Sequence, residues 1–471
     1  MKSSILSCAI IVTLSLGAPN TVYADSATWN LHPANANWYH ASNWTPATVP
    51  NGPSDVATLP DSDIIAIRLP KGSHTILDSL IFDVPSEPSG GVLVGKETTL
   101  TFVGAGVINK QNDLSGIRIE GGGSVTFLGS AMADCLLAVF NGHLNLRDDS
   151  VFVGFINAYG SFESNGHGGT VVFSDRATVE GDITINGSVF EGDNGGRVYF
   201  NDDCLTNGSF ILLAGNGRID LSGHNPPGIS IETLDGEDDG TGFICLGSNN
   251  LTIDSSLIQN ESTIHATIQD GGRSGGNGGS ITKNGTSSLT LSGSNTYTGS
   301  TTINAGTFLV NNPHGSGTGT GAVQINAGTL GGTGRIAGSV TLGTGSGNGA
   351  FLVPGVENTP VSTLTIQGSL LLASDSTYNF DLSLSRVTAD SVVANGVTIE
   401  SNAQFLFNIL GHGTLPLGTV FIVIDNTAAN SIQGAFSNLS DGDIITTEGG
   451  NLQVSYEGGD GNDLTLTVVP Q

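Results

Sequence analysis

Basic residues are scarce in this chain of 471 residues. Only 14 lysine and arginine residues stand against 42 aspartate and glutamate residues, and the formal net charge is −28. Proteins that bind nucleic acids or anionic membranes neutralise phosphate groups with lysine and arginine, so this balance excludes both partners. Such acidity is typical of a soluble extracellular protein. Diffuse binding of calcium is the alternative interpretation.

Long apolar runs are absent after the first 24 residues, so no membrane-spanning helix is expected in the mature chain. The one apolar run, from Ile5 to Leu16, follows Lys2 and leads to a small-residue exit at Ala24. This arrangement is typical of a secretory signal peptide that is cleaved after Ala24. The sequence therefore predicts a secreted protein, located outside the cell or on its outer surface.

Cysteine is rare, and three cysteines remain after cleavage: Cys135, Cys204 and Cys245. An odd number cannot pair completely within one chain. Two of them could form a disulfide if adjacent coils bring their Cα atoms to about 4.4–6.8 Å. The apolar contexts favour the other interpretation, in which all three are small inward-facing residues.

The motifs of common enzymes are also absent: there is no zinc motif, phosphate-binding loop, nucleophile elbow or dinucleotide fingerprint. We assign no catalytic, cofactor-binding or metal-binding residues and predict no catalysis. A carbohydrate-active β-helix would gather acids and bases on one outward sheet. The only candidates for such a flank are His143, Arg147, Arg176, Arg197, Arg218 and His224, near Asp148, Asp149, Asp202 and Asp203. Isolated surface charges explain them more simply.

The chain is instead rich in glycine, with 69 residues, and in repeated strand-and-turn phrases. The motif Ile303–Thr307 recurs at Ile325–Thr329, an offset that corresponds to one coil of a β-solenoid. A second phrase, Gly-Gly-x-Val-x-Phe, occurs at 122–127, 168–173 and 195–200. Valine and phenylalanine at a spacing of two share one face, which predicts buried valine and phenylalanine and an outward-facing residue between them. That residue is Tyr199 in the third copy.

These patterns predict an all-β chain that coils as a parallel β-solenoid with caps at its ends. All three tryptophans, Trp29, Trp38 and Trp44, lie near the N-terminus. An open solenoid needs a plug to cover its first coil, and these rings fit that role. A platform for stacking sugars is the alternative. The predicted division is a signal peptide (1–24), a tryptophan-rich cap (25–59), β-helix coils (60–278), repeat coils (279–375) and a C-terminal β cap or small sandwich (376–471).

Two short runs resemble parts of calcium-binding loops. Gly458–Asp463 matches the start of a calcium-binding nonapeptide, but it occurs once and such sites need successive copies. Asp235, Glu237 and Asp239 place oxygen ligands at alternate positions, but the glutamate that should close the loop is missing. A hairpin turn and a solvated acidic loop are the favoured interpretations, and no cofactor is predicted.

The stretch from Thr282 to Thr307 closely resembles the autotransporter-associated β-strand repeat, also called the passenger-associated transport repeat. The resemblance implies a right-handed parallel β-helix displayed outside a Gram-negative-type bacterium, with the repeat assisting export and folding. Family members often end in a translocator barrel. Such a barrel is not expected here, because the region after residue 376 is too short and lacks serial segments of about ten residues with alternating hydrophobicity.

The function predicted from this resemblance is a structural, adhesive or passenger-type role on the cell surface. Extracellular glycans or cell-surface components are the expected partners, and the chain is expected to be a monomer. The alternative is a carbohydrate-active β-helix, either a polysaccharide-lyase-like enzyme or a glycan-binding protein that uses the tryptophan cluster.

Overall fold

The computed structural model describes residues 26–64, 66–84, 90–110, 115–161, 167–188, 195–236, 241–255, 261–347, 349–355 and 361–471. The predicted signal peptide lies outside these ranges, as do Glu237 and Asp239. Within them the protein is built from β-strands and one short 3-10 helix, Ala41–Asn43. No helix in this part of the chain has the length and apolar character required to cross a bilayer.

The first strands form a cap and start the solenoid. They are β1 (Ala27–Trp29), β2 (Trp44–Thr45), β3 (Val56–Pro60), β4 (Ala66–Arg68), β5 (His74–Asp83), β6 (Gly91–Val94) and β7 (Thr99–Asn109). Strand β1 pairs antiparallel with β2 and parallel with β3, so the chain doubles back once before regular coiling begins.

The cap buries its three tryptophans, each at most 1% exposed. The Trp44 ring packs edge-to-face on Trp29 and Trp38, with centroids 5.0 and 4.7 Å apart. Its Nε1 donates a hydrogen bond to the Trp38 carbonyl oxygen at 2.7 Å. The rings therefore plug the solenoid, as the first interpretation predicts. The sugar-platform alternative is wrong for these residues, because no ring face reaches solvent.

The following coils add short strands whose pairings are all parallel. These strands are β8 (Gly116–Ile119), β9 (Ser124–Phe127), β10 (Met132–Ala133), β11 (Leu136–Val139), β12 (His143–Leu146), β13 (Val151–Phe152), β14 (Phe155–Ala158), β15 (Thr170–Phe173), β16 (Thr178–Val179), β17 (Asp182–Ile185), β18 (Arg197–Phe200), β19 (Leu205–Thr206), β20 (Phe210–Leu213), β21 (Arg218–Asp220), β22 (Gly228–Ile231), β23 (Thr233–Gly236), β24 (Phe243–Cys245), β25 (Asn250–Asp254), β26 (Ser262–Ile264) and β27 (Thr267–Gln269). Strands β7, β9, β12, β15, β18, β21, β24 and β27 stack as sheet 1, and β4, β6, β8, β11, β14, β17, β20 and β23 stack as sheet 2.

The three Gly-Gly-x-Val-x-Phe phrases fall in register within sheet 1, with β12 between the first and the second. Phe127, Phe173 and Phe200 are fully buried, and the last two rings stack with their centroids 5.4 Å apart. The predicted inward face is therefore confirmed. Tyr199 lies on the outward side but is only 8% exposed, because a later segment covers it.

The remaining strands complete the solenoid and close it. They are β28 (Ser280–Asn284), β29 (Ser288–Leu291), β30 (Thr301–Ile303), β31 (Thr307–Val310), β32 (Val323–Ile325), β33 (Gly328–Gly332), β34 (Arg335–Ile336), β35 (Val340–Leu342), β36 (Ala350–Pro354), β37 (Thr363–Ile366), β38 (Leu370–Leu372), β39 (Ser376–Ser383), β40 (Thr388–Ala389), β41 (Ser391–Ala394), β42 (Val397–Ile399), β43 (Gln404–Leu410), β44 (Val420–Asn426), β45 (Ile444–Thr447), β46 (Gly450–Gly458) and β47 (Asp463–Val469).

The coil predicted from the repeated motif is confirmed, because Ile303 pairs with Ile325 and Thr307 with Thr329. The asparagine of each copy adds a side-chain ladder. Asn326 Nδ2 donates to Asn304 Oδ1, and Asn304 Nδ2 donates to Asn284 Oδ1, both at 2.8 Å. Each coil of the repeat is thus tied to the previous one by side-chain as well as backbone hydrogen bonds.

The repeat also buries a lysine. Lys283 occupies the inward row of β28, paired with Ile253 and Ile303, and is fully shielded from solvent. Its Nζ donates hydrogen bonds to the carbonyl oxygens of Asn284 at 2.8 Å and Gly285 at 3.1 Å. Burial lowers the pKa of Lys283 to about 8, and only the charge of Asp254 opposes that shift.

An antiparallel sheet closes the C-terminal end. Strand β47 pairs antiparallel with both β44 and β46, and β45 pairs antiparallel with β46. Buried aromatic rings, including those of Tyr378 and Phe436, fill its junction with the last coils. Antiparallel pairing in this sheet replaces the parallel stacking of the coils.

All three described cysteines are free and buried. Burial raises the pKa of each thiol, to about 12 for Cys204. The prediction of inward-facing cysteines is wrong for Cys245, which lies in the outward row of sheet 1 with Tyr199 and Asp220. Its burial comes from residues outside the solenoid wall.

Candidate functional site: a groove on the outward face of sheet 2

The first strands of sheet 2 expose an alternating set of side chains. Inward residues such as Val92 and Ile117 are buried in the core, which leaves their neighbours on the outer surface. Cross-strand pairing places Arg68, Leu93, Arg118 and Ala138 in a single outward row. This row runs along the axis of the solenoid and crosses four coils.

A groove of about 530 Å³ lies over this row. Its floor is apolar, formed by Leu93, Leu136 and Ala138 together with glycines. Strands β8 and β11 lie very close together at this floor, since a Cβ atom on Gly116 would lie 2.1 Å from the carbonyl oxygen of Leu136. A side chain at that position cannot be accommodated, so the glycine lets the backbones of β8 and β11 approach closely.

Two arginines flank the apolar floor. Arg118 Nε donates to Glu120 Oε2 at 2.8 Å, and the guanidinium carbon lies 4.3 Å from the centre of the Phe140 ring. That ring stacks flat on Tyr159, with centroids 4.2 Å apart. Arg68 is exposed and takes no part in the ion pairs found in the described ranges. One guanidinium is therefore held in place and the other is open to solvent.

The residues that the sequence offered as a catalytic flank do not lie together in the structure. His143, Arg197 and Arg218 lie in one outward row of sheet 1. Arg176 forms two hydrogen bonds with Asp149, at 2.7 and 2.8 Å, on an exposed corner. The other residues of the set are peripheral: Arg147 is exposed, His224 Nε2 bonds the Cys204 carbonyl oxygen at 2.8 Å, and Asp203 accepts a hydrogen bond from Asn225.

Two acids of that set, Asp148 and Asp202, belong to a ladder at a corner of the solenoid, in which Asp175 lies between them. Asp148, Asp175 and Asp202 all have left-handed backbones, with φ of 58°, 59° and 55°. The carboxylate of Asp175 accepts a hydrogen bond from the Asp148 N–H, and that of Asp202 accepts one from the Asp175 N–H. These carboxylates satisfy turn amides of the preceding coil. Across the described ranges, no three His, Cys, Asp or Glu side chains form a group that could hold a metal ion.

In the two runs that resemble calcium-binding loops, the described carboxylates of Asp463 and Asp235 accept hydrogen bonds from backbone N–H groups. Gly458–Asp463 is the turn of the hairpin between β46 and β47. Asp463 Oδ1 accepts a hydrogen bond from Asn426 N at 2.8 Å. Asp235 Oδ1 accepts hydrogen bonds from Thr263 N and Gly236 N, both at 3.0 Å.

The glycine-rich segment 270–279, which we call the strap, folds back over sheet 1. The Arg273 N–H donates to Asp220 Oδ2 at 2.9 Å, and the Arg273 guanidinium carbon lies 5.5 Å from the centre of the Tyr199 ring. Asp220 is only 1% exposed and also pairs with Arg218 at 2.9 Å. This contact explains why the outward-facing Tyr199 is buried.

Replacing Asp220 with alanine should loosen the strap and expose Cys245. The change removes the acceptor for the strap amide and leaves the half-buried Arg218 without its carboxylate. We expect Cys245 in the folded variant to react several-fold faster with a maleimide reagent, as measured by mass spectrometry of peptides. Cys135 and Cys204 serve as internal controls, and Asp203→Ala is the matched exposed variant. An unchanged rate at Cys245 would show that the strap is held by other contacts.

Comparison with known proteins found a match to one protein family and an alignment with a solved structure. Residues 281–310 match the passenger-associated-transport-repeat family. No protein of curated function matches the chain. The crystal structure of the Haemophilus influenzae Hap adhesin aligns over 91% of this chain and 65% of that chain, with 11% sequence identity and a TM-score of 0.21.

The stacked parallel strands make this protein a parallel β-solenoid. It carries one passenger-associated transport repeat, in strands β28–β31, which confirms the resemblance found in the sequence.

Proposed function

We propose that this chain is an extracellular, surface-associated solenoid that acts as an adhesin and performs no catalysis. The transport repeat supports a passenger role, and the predicted signal peptide supports export. The observation that carries the proposal is the open groove on sheet 2. Its apolar floor and paired arginines face solvent on a rigid scaffold, which is the arrangement required of a binding surface.

The composition of the groove favours binding over turnover. Glycoside hydrolysis generally requires two carboxyl groups on either side of the bond that is cleaved. Among the lining residues that the structure describes, Glu120 is the single carboxylate, and Arg118 already neutralises it. A bound sugar would therefore contact arginines and apolar side chains, but not the pair of carboxyl groups that hydrolysis requires.

Adhesion can be tested with beads coated with the purified mature chain and applied under flow to epithelial monolayers. We expect retention well above that of beads coated with albumin. Protease treatment of intact bacteria that produce the chain should remove it from their surface. Release of reducing or unsaturated sugars from a polysaccharide panel would contradict the absence of catalysis and favour the lyase-like alternative. Retention equal to albumin would contradict adhesion.

A further inference from the structure

The groove contains two positive charges at a fixed spacing. Arg68 and Arg118 belong to the same outward row and are separated by one strand, that of Leu93. Neighbouring strands lie about 4.8 Å apart, so the two backbone positions are about 10 Å apart along the solenoid axis. That spacing is comparable to the length of one disaccharide in an extended polysaccharide.

The surface between the arginines fits the apolar face of a sugar. Leu93 lies midway between them, and Leu136 and Ala138 extend the floor to the next coil. Gly90, Gly91 and Gly116 also line the groove and add no side chains to its surface. A ring placed over Leu93 would present its C–H groups to apolar side chains and its substituents to either arginine.

Arg118 is prepared to accept an anion. Its guanidinium group has five N–H donors in a fixed plane, and Glu120 engages the one on Nε. The ring of Phe140 holds the plane in position. The terminal nitrogens therefore keep donors for a carboxylate or sulfate group, and the orientation costs little entropy on binding.

The charge of the rest of the chain adds selectivity. At a formal net charge of −28, most of the surface repels a polyanion. The described lining of the groove has two arginines against one glutamate and is locally cationic. A polyanion would therefore bind in register with this row of positive charge, and its binding would weaken with added salt.

Building on the proposed adhesive function, we propose that the groove binds a linear acidic polysaccharide that carries an anionic group on alternate sugars. The chain lies along the solenoid axis, with one anionic group at Arg68, the next at Arg118 and the intervening ring over Leu93. The shared chemistry is the repeated anion, supplied either by uronate carboxylates or by sulfate groups.

The test is calorimetric titration of the purified mature chain with defined oligosaccharides. Hyaluronan fragments carry a carboxylate on every second sugar, keratan sulfate fragments sulfated only on the glucosamine carry a sulfate on every second sugar and no carboxylate, and chitin fragments of equal length are neutral. We expect both acidic fragments, or one of them, to bind, with the stronger ligand identifying the preferred anion, and chitin fragments not to bind. Arg68→Gln and Arg118→Gln should each weaken binding about ten-fold, the loss expected for a hydrogen bond to a charged group.

Arg176→Gln is the matched control, because Arg176 is an exposed, ion-paired arginine outside the groove. Urea midpoints equal to that of the unmodified chain would verify folding of all three variants. Equal weakening by Arg176→Gln, unchanged binding in a variant that combines Arg68→Gln with Arg118→Gln, or equally tight binding of chitin fragments would overturn the proposal. Absence of oligosaccharide binding with bead adhesion intact would overturn the ligand and leave adhesion standing. Oligosaccharide binding without bead adhesion would overturn the adhesive function and leave the ligand proposal standing.

Discussion

Replacing Trp44 with alanine is expected to lower the free energy of unfolding of the N-terminal coils by about 3–5 kcal/mol, the usual loss for a buried tryptophan. The ring is 1% exposed and touches both other tryptophans, so its removal opens a cavity in the plug. Its indole hydrogen bond to Trp38 is lost as well.

Hydrogen exchange measured by mass spectrometry can locate this effect. Because each coil contacts only its neighbours, destabilisation should be greatest next to the cap and fade along the solenoid. Amides of β3 and β5 should exchange faster, whereas those of β30 and β32 should keep their protection. Leu31→Ala is the matched control, since Leu31 lies in the same cap and is 54% exposed. Uniform loss of protection along the chain would mean that the solenoid unfolds as one cooperative unit.

Replacing Lys283 with methionine is expected to change how stability depends on pH. The lysine pKa is about 8 in the folded protein and 10.5 in the reference state. The unfolded chain therefore holds more protons between these values, and unfolding free energy rises with pH across that window. The penalty is fully present below pH 8 and amounts to about 3 kcal/mol at most.

Methionine keeps the apolar stem of the side chain and removes the charge. Removing the buried charge should make the variant more stable than the parent at pH 7. The net gain is about 1–2 kcal/mol, because two carbonyl groups lose their hydrogen-bond donor and this loss offsets part of the gain. The advantage of the variant should fall as pH rises from 8 to 10 and then change sign, because the penalty on the parent, about 3 kcal/mol, is larger than the net advantage at pH 7. Urea unfolding at a series of pH values measures it, with the exposed Lys71→Met as the control. A constant difference would show that the pKa of Lys283 is the same in the folded and unfolded chains.

Much of the fold follows from periodicity in the sequence. The alternation of Val and Phe in the Gly-Gly phrases identifies inward positions, because a side chain two residues away must return to the same face. Repetition of Ile303–Thr307 identifies the coil, since identical turns stack most easily on one another. The tryptophan plug follows from the need to cover an exposed coil.

The groove could not be predicted in this way. The register of its two arginines can be inferred only if the length of each intervening coil is known. Coil lengths differ along the chain. They are 25 residues from His74 to Thr99, 27 from Asp148 to Asp175 and 22 from Asn304 to Asn326. Without a constant period, the sequence does not show which outward residues become neighbours.

The strap and the buried lysine were missed for related reasons. Glycine-rich composition marks 270–279 as an excursion, but composition does not reveal where an excursion folds back. Cys245 and Tyr199 follow the alternation and lie outward, yet the strap segment and its neighbours shield them. Lys283 breaks the alternation outright, because local backbone carbonyls supply the partners that a buried ammonium requires.

The aspartate ladder makes each corner depend on the coil that comes after it. The amide of Asp148 is satisfied by Asp175, and the amide of Asp175 by Asp202. If the chain emerges gradually through a narrow opening, N-terminus first, the last of these aspartates to emerge has an unbonded amide. That amide is satisfied only when the aspartate of the next coil emerges. Emergence from the other end would deliver each carboxylate before the amide that it serves.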